Sequence, residues 1–149
     1  MDILYARKEH SKFIVNAQIE MAMETENLQL DLATVTRGVN AVFENESLGQ
    51  YIVVTSDEIP IASTLVIPEW SDWRAKKVWW IHSVYVVPDF RGQGVFRKIY
   101  DFLKVKINSN DEVAGLRLYV DKSNINAQKV YQKIGMSNEH YELYEWLKN

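Results

Sequence analysis

One stretch governs what this chain can become. Residues 78 to 87, VWWIHSVYVV, form a ten-residue run of β-branched and aromatic side chains that stops at Pro88 and is followed by Gly92 and Gly94. So apolar and β-prone a run predicts a central strand covered on both faces rather than a solvated edge. Beyond the glycines, Phe96, Ile99, Leu103 and Ile107 keep helical spacing, which predicts a helix over 95–107. Strand, glycine turn and helix in that order gather the first helical amides, which have no carbonyl one turn back, and the positive end of the helix dipole at one point. Such a point suits phosphate.

The remaining elements follow from periodicity. Residues 3–7 read as a short strand. Ile14, Ala17 and Met21 give a helix over 9–24, and Leu32, Val35, Val39 and Val42 or Phe43 give a second. The β-branched runs 51–55 and 59–67, separated by Ser56, Asp57 and Glu58, read as a hairpin, and the polar and aromatic stretch 69–77 as a connection. Residues 116–120 predict a strand, 125–133 a short helix closed by Gly135, and 141–146 a last strand. No linker, repeat or low-complexity tract interrupts the chain. The order predicts a single mixed α/β domain over 1–149, a central mixed, twisted sheet flanked by helices.

Composition narrows the function classes. The 149 residues are 47% hydrophobic, enough for one packed core, and 17 basic against 20 acidic residues leave a net charge of −3. No cationic field gathers nucleic acid or anionic lipid, so neither is an expected partner. The absence of cysteine removes thiolate nucleophiles and Cys-ligated metals, and His10, His82 and His140 lack metal-ligand spacing, so no metal is expected. With no signal core and no 18-residue apolar run, the expected location is cytoplasmic, without membrane attachment.

Two familiar phosphate motifs fail at the glycine turn. A dinucleotide fingerprint requires a third glycine where Arg97 stands, and a P-loop requires a Lys followed by Ser or Thr. The segment instead resembles the signature of the GNAT superfamily of acyl-CoA N-acyltransferases: Gln or Arg, two variable residues, Gly, one variable residue, Gly or Ala. Arg91 and Gly94 match it; Phe96, in the last position, does not. Further on, Leu118, Val120, Asn124, Ala127, Tyr131, Gly135 and Met136 are similar to the family's strand, Asn, Ala, Tyr, Gly, hydrophobe pattern.

The resemblance implies a GNAT-like fold, acetyl-CoA as cosubstrate and direct acyl transfer to an amine. It implies that backbone groups of Val84, Tyr85 and Val86 hold the pantetheine arm, with Asn124 and Ala127 beside it. The diphosphate would lie on the turn formed by Arg91, Gly92, Gln93, Gly94, Val95 and Phe96, with Arg91 neutralising charge at its rim. Arg97, Lys98, Lys129 or Lys133 would meet the 3′-phosphate. Tyr131 would be the general acid, and His82 the base, since arylalkylamine acetyltransferases carry a histidine in the corresponding place. Strict alternation puts His82 on the face of Trp80, Val84 and Val86. Each has a plainer reading as well: Tyr131 as a core tyrosine, His82 as a hydrogen-bonded strand residue.

For the acceptor, Glu20 and Glu24 stand one helical turn apart, a like-charge pair that costs a few tenths of a kcal/mol, on the order of 0.3, unless a cation answers it. Trp70, Asp72 and their neighbours Glu69 and Trp73 offer aromatic faces and carboxylates that suit a cation. These residues predict a small cationic amine as substrate; a protein amine, a non-catalytic acyl-CoA-binding module and a purely structural domain stay open. A homodimer is possible on the family pattern.

Overall fold

The computed structural model describes residues 1–148. Its order is β1 (Asp2–Tyr5), α1 (Ser11–Glu26), α2 (Leu32–Glu44), β2 (Gln50–Ser56), β3 (Ile59–Ser71), β4 (Lys76–Val86), α3 (Val95–Asn108), β5 (Val113–Arg117) and α4 (Ile125–Lys133). The chain forms two compact units, Met1–Arg117 and Leu118–Asn149.

In the first unit the sheet runs β1-β2-β3-β4-β5, antiparallel except for the parallel β4–β5 pair. One face carries Leu4, Tyr51, Val53 and Leu65, which pack with Ile14 and Val15 of α1 and Val39 of α2. Tyr5, on the opposite face, meets Phe102 of α3 edge-on, with ring centroids 5.8 Å apart. There Ile99 and Leu103 are fully buried, as are Ile52, Val54 and Ala62. The helix starts follow local chemistry: the Asp31 carboxylate caps α2 by accepting the Thr34 amide at 2.8 Å, and α1 ends at Asn27 in the left-handed region.

β4 departs from a regular strand. Ser63 stands opposite Tyr85 and Leu65 opposite His82, so Ser83 and Val84 together oppose Thr64 alone. This is a β-bulge, with Ser83 at φ +51°, and the Thr64 hydroxyl donates to the His82 carbonyl at 2.7 Å beside it. Because the extra residue changes the alternation, Trp80, His82 and Tyr85 share the face of Ser63 and Leu65, whereas Val86, opposite Ala62, lies on the other. The expected common face for His82 and Val86 is therefore corrected. Cover on both faces is also only partial: Val78, Ile81 and Tyr85 are buried, the residues between them half-buried.

Other boundaries shift. The expected connection over 69–77 shrinks to a short turn, because Glu69, Trp70 and Ser71 pair with Val78, Lys77 and Lys76. β5 comes three residues earlier than its side chains suggested, set by parallel pairing from Lys77–Val113 to Trp80–Arg117.

In the second unit, α4 is capped by the Asn124 side chain, which accepts the Ala127 amide at 3.1 Å. It closes at Gly135, φ +89°, with the Met136 amide donating to the Tyr131 carbonyl. The expected strand over 141–146 does not form. Its alternating pattern has no ladder among the described residues, and Tyr141, Leu143, Tyr144 and Trp146 are exposed.

Candidate active site

The site begins where β4 ends. The parallel ladder with β5 stops at Trp80, while β4 continues to Val86 paired, across the bulge, with β3. After Pro88–Phe90, Gly92 and Gly94 both take φ +75°, and α3 starts on Gly94 with no side-chain cap. A Cβ at either glycine would meet nothing within 4 Å, so the left-handed backbone, not crowding, selects glycine here. The α3 ladder opens with the Lys98 amide on the Gly94 carbonyl. Helix geometry directs the amides before it out of the helix end.

Arg91, expected to neutralise charge at the rim of this turn, has partners within the chain. Its Nε donates to the Val86 carbonyl at 2.8 Å, closing the segment from Val86 to Arg91 on itself, and one terminal nitrogen donates to both Glu24 oxygens at 3.1 and 2.8 Å. The guanidinium lies 5.7 Å from the centroid of the Tyr85 ring. Tyr85, buried, donates its hydroxyl to the Glu20 carboxylate. Burial, then that carboxylate and Glu24, push the Tyr85 phenol up to about 12 against the opposing charge of Arg91. Thus Glu20 and Glu24, read as a pair awaiting an external cation, already have internal partners. A cleft of about 440 Å³ opens beside Glu20, lined also by Phe13, Asn16, Ala17, Tyr85, Val87 and Pro88.

His82 shares the face of Tyr85, its ring 6.2 Å from that of Trp80, and burial lowers its pKa below the usual imidazole value. It is therefore set to be neutral near pH 7, the form that accepts a proton. Gln93, exposed, donates its side-chain amide to the Asp89 carbonyl at 2.8 Å. In the second unit, the Asn124 oxygen is used by the α4 cap, and burial raises the Tyr131 phenol.

The aromatic turn does not form the expected cation box. Trp70 and Trp73 are 63% and 89% exposed, Asp72 accepts the neighbouring Trp73 amide, and Glu69 is paired with Arg117 at 2.9 Å. Among the described residues no group of three or more His, Asp or Glu side chains comes together in a way that would hold a metal ion, and no helix is long and apolar enough to cross a membrane. Sequence reasoning used Tyr85 only for its backbone; the signal for more was a phenol inside an apolar strand, since a buried tyrosine hydroxyl takes a partner. Ser83 gave no signal.

Residues 16–136 match the model of the acetyltransferase (GNAT) family. Among solved structures, a possible acetyltransferase from Clostridium difficile 630 is 34% identical, with a TM-score of 0.92 over 99% of this chain and 97% of that one. A predicted acetyltransferase from Clostridium acetobutylicum, solved with acetyl-CoA, is 17% identical, with a TM-score of 0.72 over 99% and 94%. AAC(6')-Iy, in complex with the bisubstrate analogue CoA-S-monomethyl-acetylneamine, is 13% identical, with a TM-score of 0.76 over 99% and 98%. No match is found among curated proteins.

Proposed function

The chain belongs to the GNAT acetyltransferase family, and on that premise we propose that it transfers the acetyl group of acetyl-CoA to the primary amine of a small cationic acceptor by direct attack. The observation that carries the reading is the uncapped start of α3 behind two left-handed glycines, at the end of a strand whose parallel ladder has stopped short. The turn fits a diphosphate: its amides are directed outward, and the space where side chains would stand is open. Structures similar in fold, one holding acetyl-CoA and one a CoA-linked bisubstrate analogue, support the same cosubstrate.

Acetyl-CoA supplies an activated thioester when bound. The chain's own residues then have four tasks. Backbone groups of Val84, Tyr85 and Val86 orient the pantetheine arm, and the turn from Arg91 to Phe96 anchors the diphosphate. His82, neutral at pH 7, takes the proton that an ammonium must lose before its nitrogen attacks. Tyr131 keeps the role of proton donor to the leaving sulfur that the family pattern gives it. The cleft beside Glu20 receives the acceptor: its volume suits a small molecule, and its carboxylate suits a cation.

The test is turnover of acetyl-CoA with a panel of polyamines, amino sugars, amino acid derivatives and peptides. Small amines are expected to react and peptides not. Tyr131→Phe is expected to lower kcat about 100-fold with KM for acetyl-CoA unchanged. Binding of acetyl-CoA with inactivity toward every amine would replace the enzyme by an acyl-CoA-binding module.

A further inference from the structure

We propose that Glu24 is a positioning residue for the glycine turn, acting through Arg91; the inference rests on the reading of that turn as the CoA diphosphate site. Four side chains form a closed circuit. Glu20 and Glu24, one turn apart on α1, hold respectively the Tyr85 hydroxyl and the Arg91 guanidinium, and the guanidinium lies over the Tyr85 ring, 5.7 Å from its centroid. Arg91 in turn clasps the Val86 carbonyl, so one guanidinium fixes both ends of the loop from Val86 to Arg91. The next residue is Gly92, the first of the two left-handed positions.

Several features favour positioning over plain stability. The Glu24–Arg91 pair is nearly half exposed, 42% and 45%, a setting in which an ion pair adds little to folding. Its geometry is nevertheless specific. Both carboxylate oxygens receive the same nitrogen, leaving Nε for the loop carbonyl, and the ring of Tyr85 limits the swing of the guanidinium. A planar fork held on three sides has few alternative rotamers. Glu24 thus sets the direction from which Arg91 grips the loop, and the loop sets where the following amides point. The like-charge pair on α1 is eased in the same way: Arg91 answers the charge of Glu24, while the neutral Tyr85 hydroxyl hydrogen-bonds Glu20 and leaves its charge in place.

The experiment compares CoA binding by calorimetry, without any amine, in the wild-type chain and in Glu24→Gln, together with KM for acetyl-CoA and for the best amine. Glu24→Gln is expected to weaken CoA binding and raise KM for acetyl-CoA by about fivefold, with KM for the amine and the melting temperature unmoved. Equal CoA affinity in the two proteins overturns the proposal. A rise confined to the amine KM also overturns it and assigns Glu24 to the acceptor. Wild-type protein that binds no CoA defeats the reading of the turn itself, an outcome distinct from the other two.

Discussion

Two helices in this chain start in opposite ways. α4 begins on Asn124, whose side chain satisfies the Ala127 amide, whereas α3 begins on Gly94, which has no side chain to offer. The first arrangement spends a polar group to close the helix end. The second forgoes that stabilisation, and two left-handed glycines just ahead of it keep the approach open. The difference separates a start that serves the fold from one that is left to receive something else. α2, closed by Asp31, falls with α4.

Giving α3 the cap it lacks is the strongest way to break this contrast. In Gly94→Asp a carboxylate would occupy the helix start and repel a diphosphate, and Asp is among the residues that best tolerate φ +75°. CoA affinity measured by calorimetry is expected to fall about 100-fold while circular dichroism keeps its native shape. A variant that binds CoA as the wild type does would show that the open start is not the anchor.

The converse change sharpens it. Asn124→Ala removes the α4 cap and is expected to cost about 1 kcal/mol of stability in urea unfolding. An Asn124 that served only the pantetheine arm would instead raise KM for acetyl-CoA and leave the unfolding midpoint in place.

The smallest effect concerns pH. Burial holds His82 below its ordinary value of 6.5, so the neutral base persists as pH falls through that value and is lost only further down. The acid limb of kcat/KM against pH is expected to lie below pH 6.5. The sign for stability is the same: an imidazole kept neutral in the fold but free to charge when unfolded makes the fold less stable as pH drops below about 6.5.

Much of the fold was legible because its signals are local. The helix expected over 95–107 occupies Val95–Asn108, and Gly135 closes α4 where its left-handed φ is needed. The family signature singled out Arg91, but it did not foretell that the guanidinium turns to Glu24, 67 residues away. The Glu20–Tyr85 bond spans 65 residues, and nothing near either side chain announces the other. The strand expected over 141–146 failed for the same reason in reverse: alternation is local, but a strand exists only where a neighbour offers a ladder. The face of His82 was misjudged because counting by twos assumes that no residue is inserted.

That inserted residue, Ser83, acts on the sheet as a change of reading frame. Upstream of it, even-numbered positions such as Trp80 and His82 look toward α1 and α2; downstream, the odd-numbered Tyr85 does. Flattening the bulge with Ser83 kept in the ladder would give an unbroken count and send the phenol of Tyr85 to the α3 side, away from Glu20, with Val86 taking its place beneath α1. A serine held at φ +51°, a conformation that costs on the order of 1 kcal/mol or more, is thus what brings a tyrosine rather than a valine to meet the acidic helix.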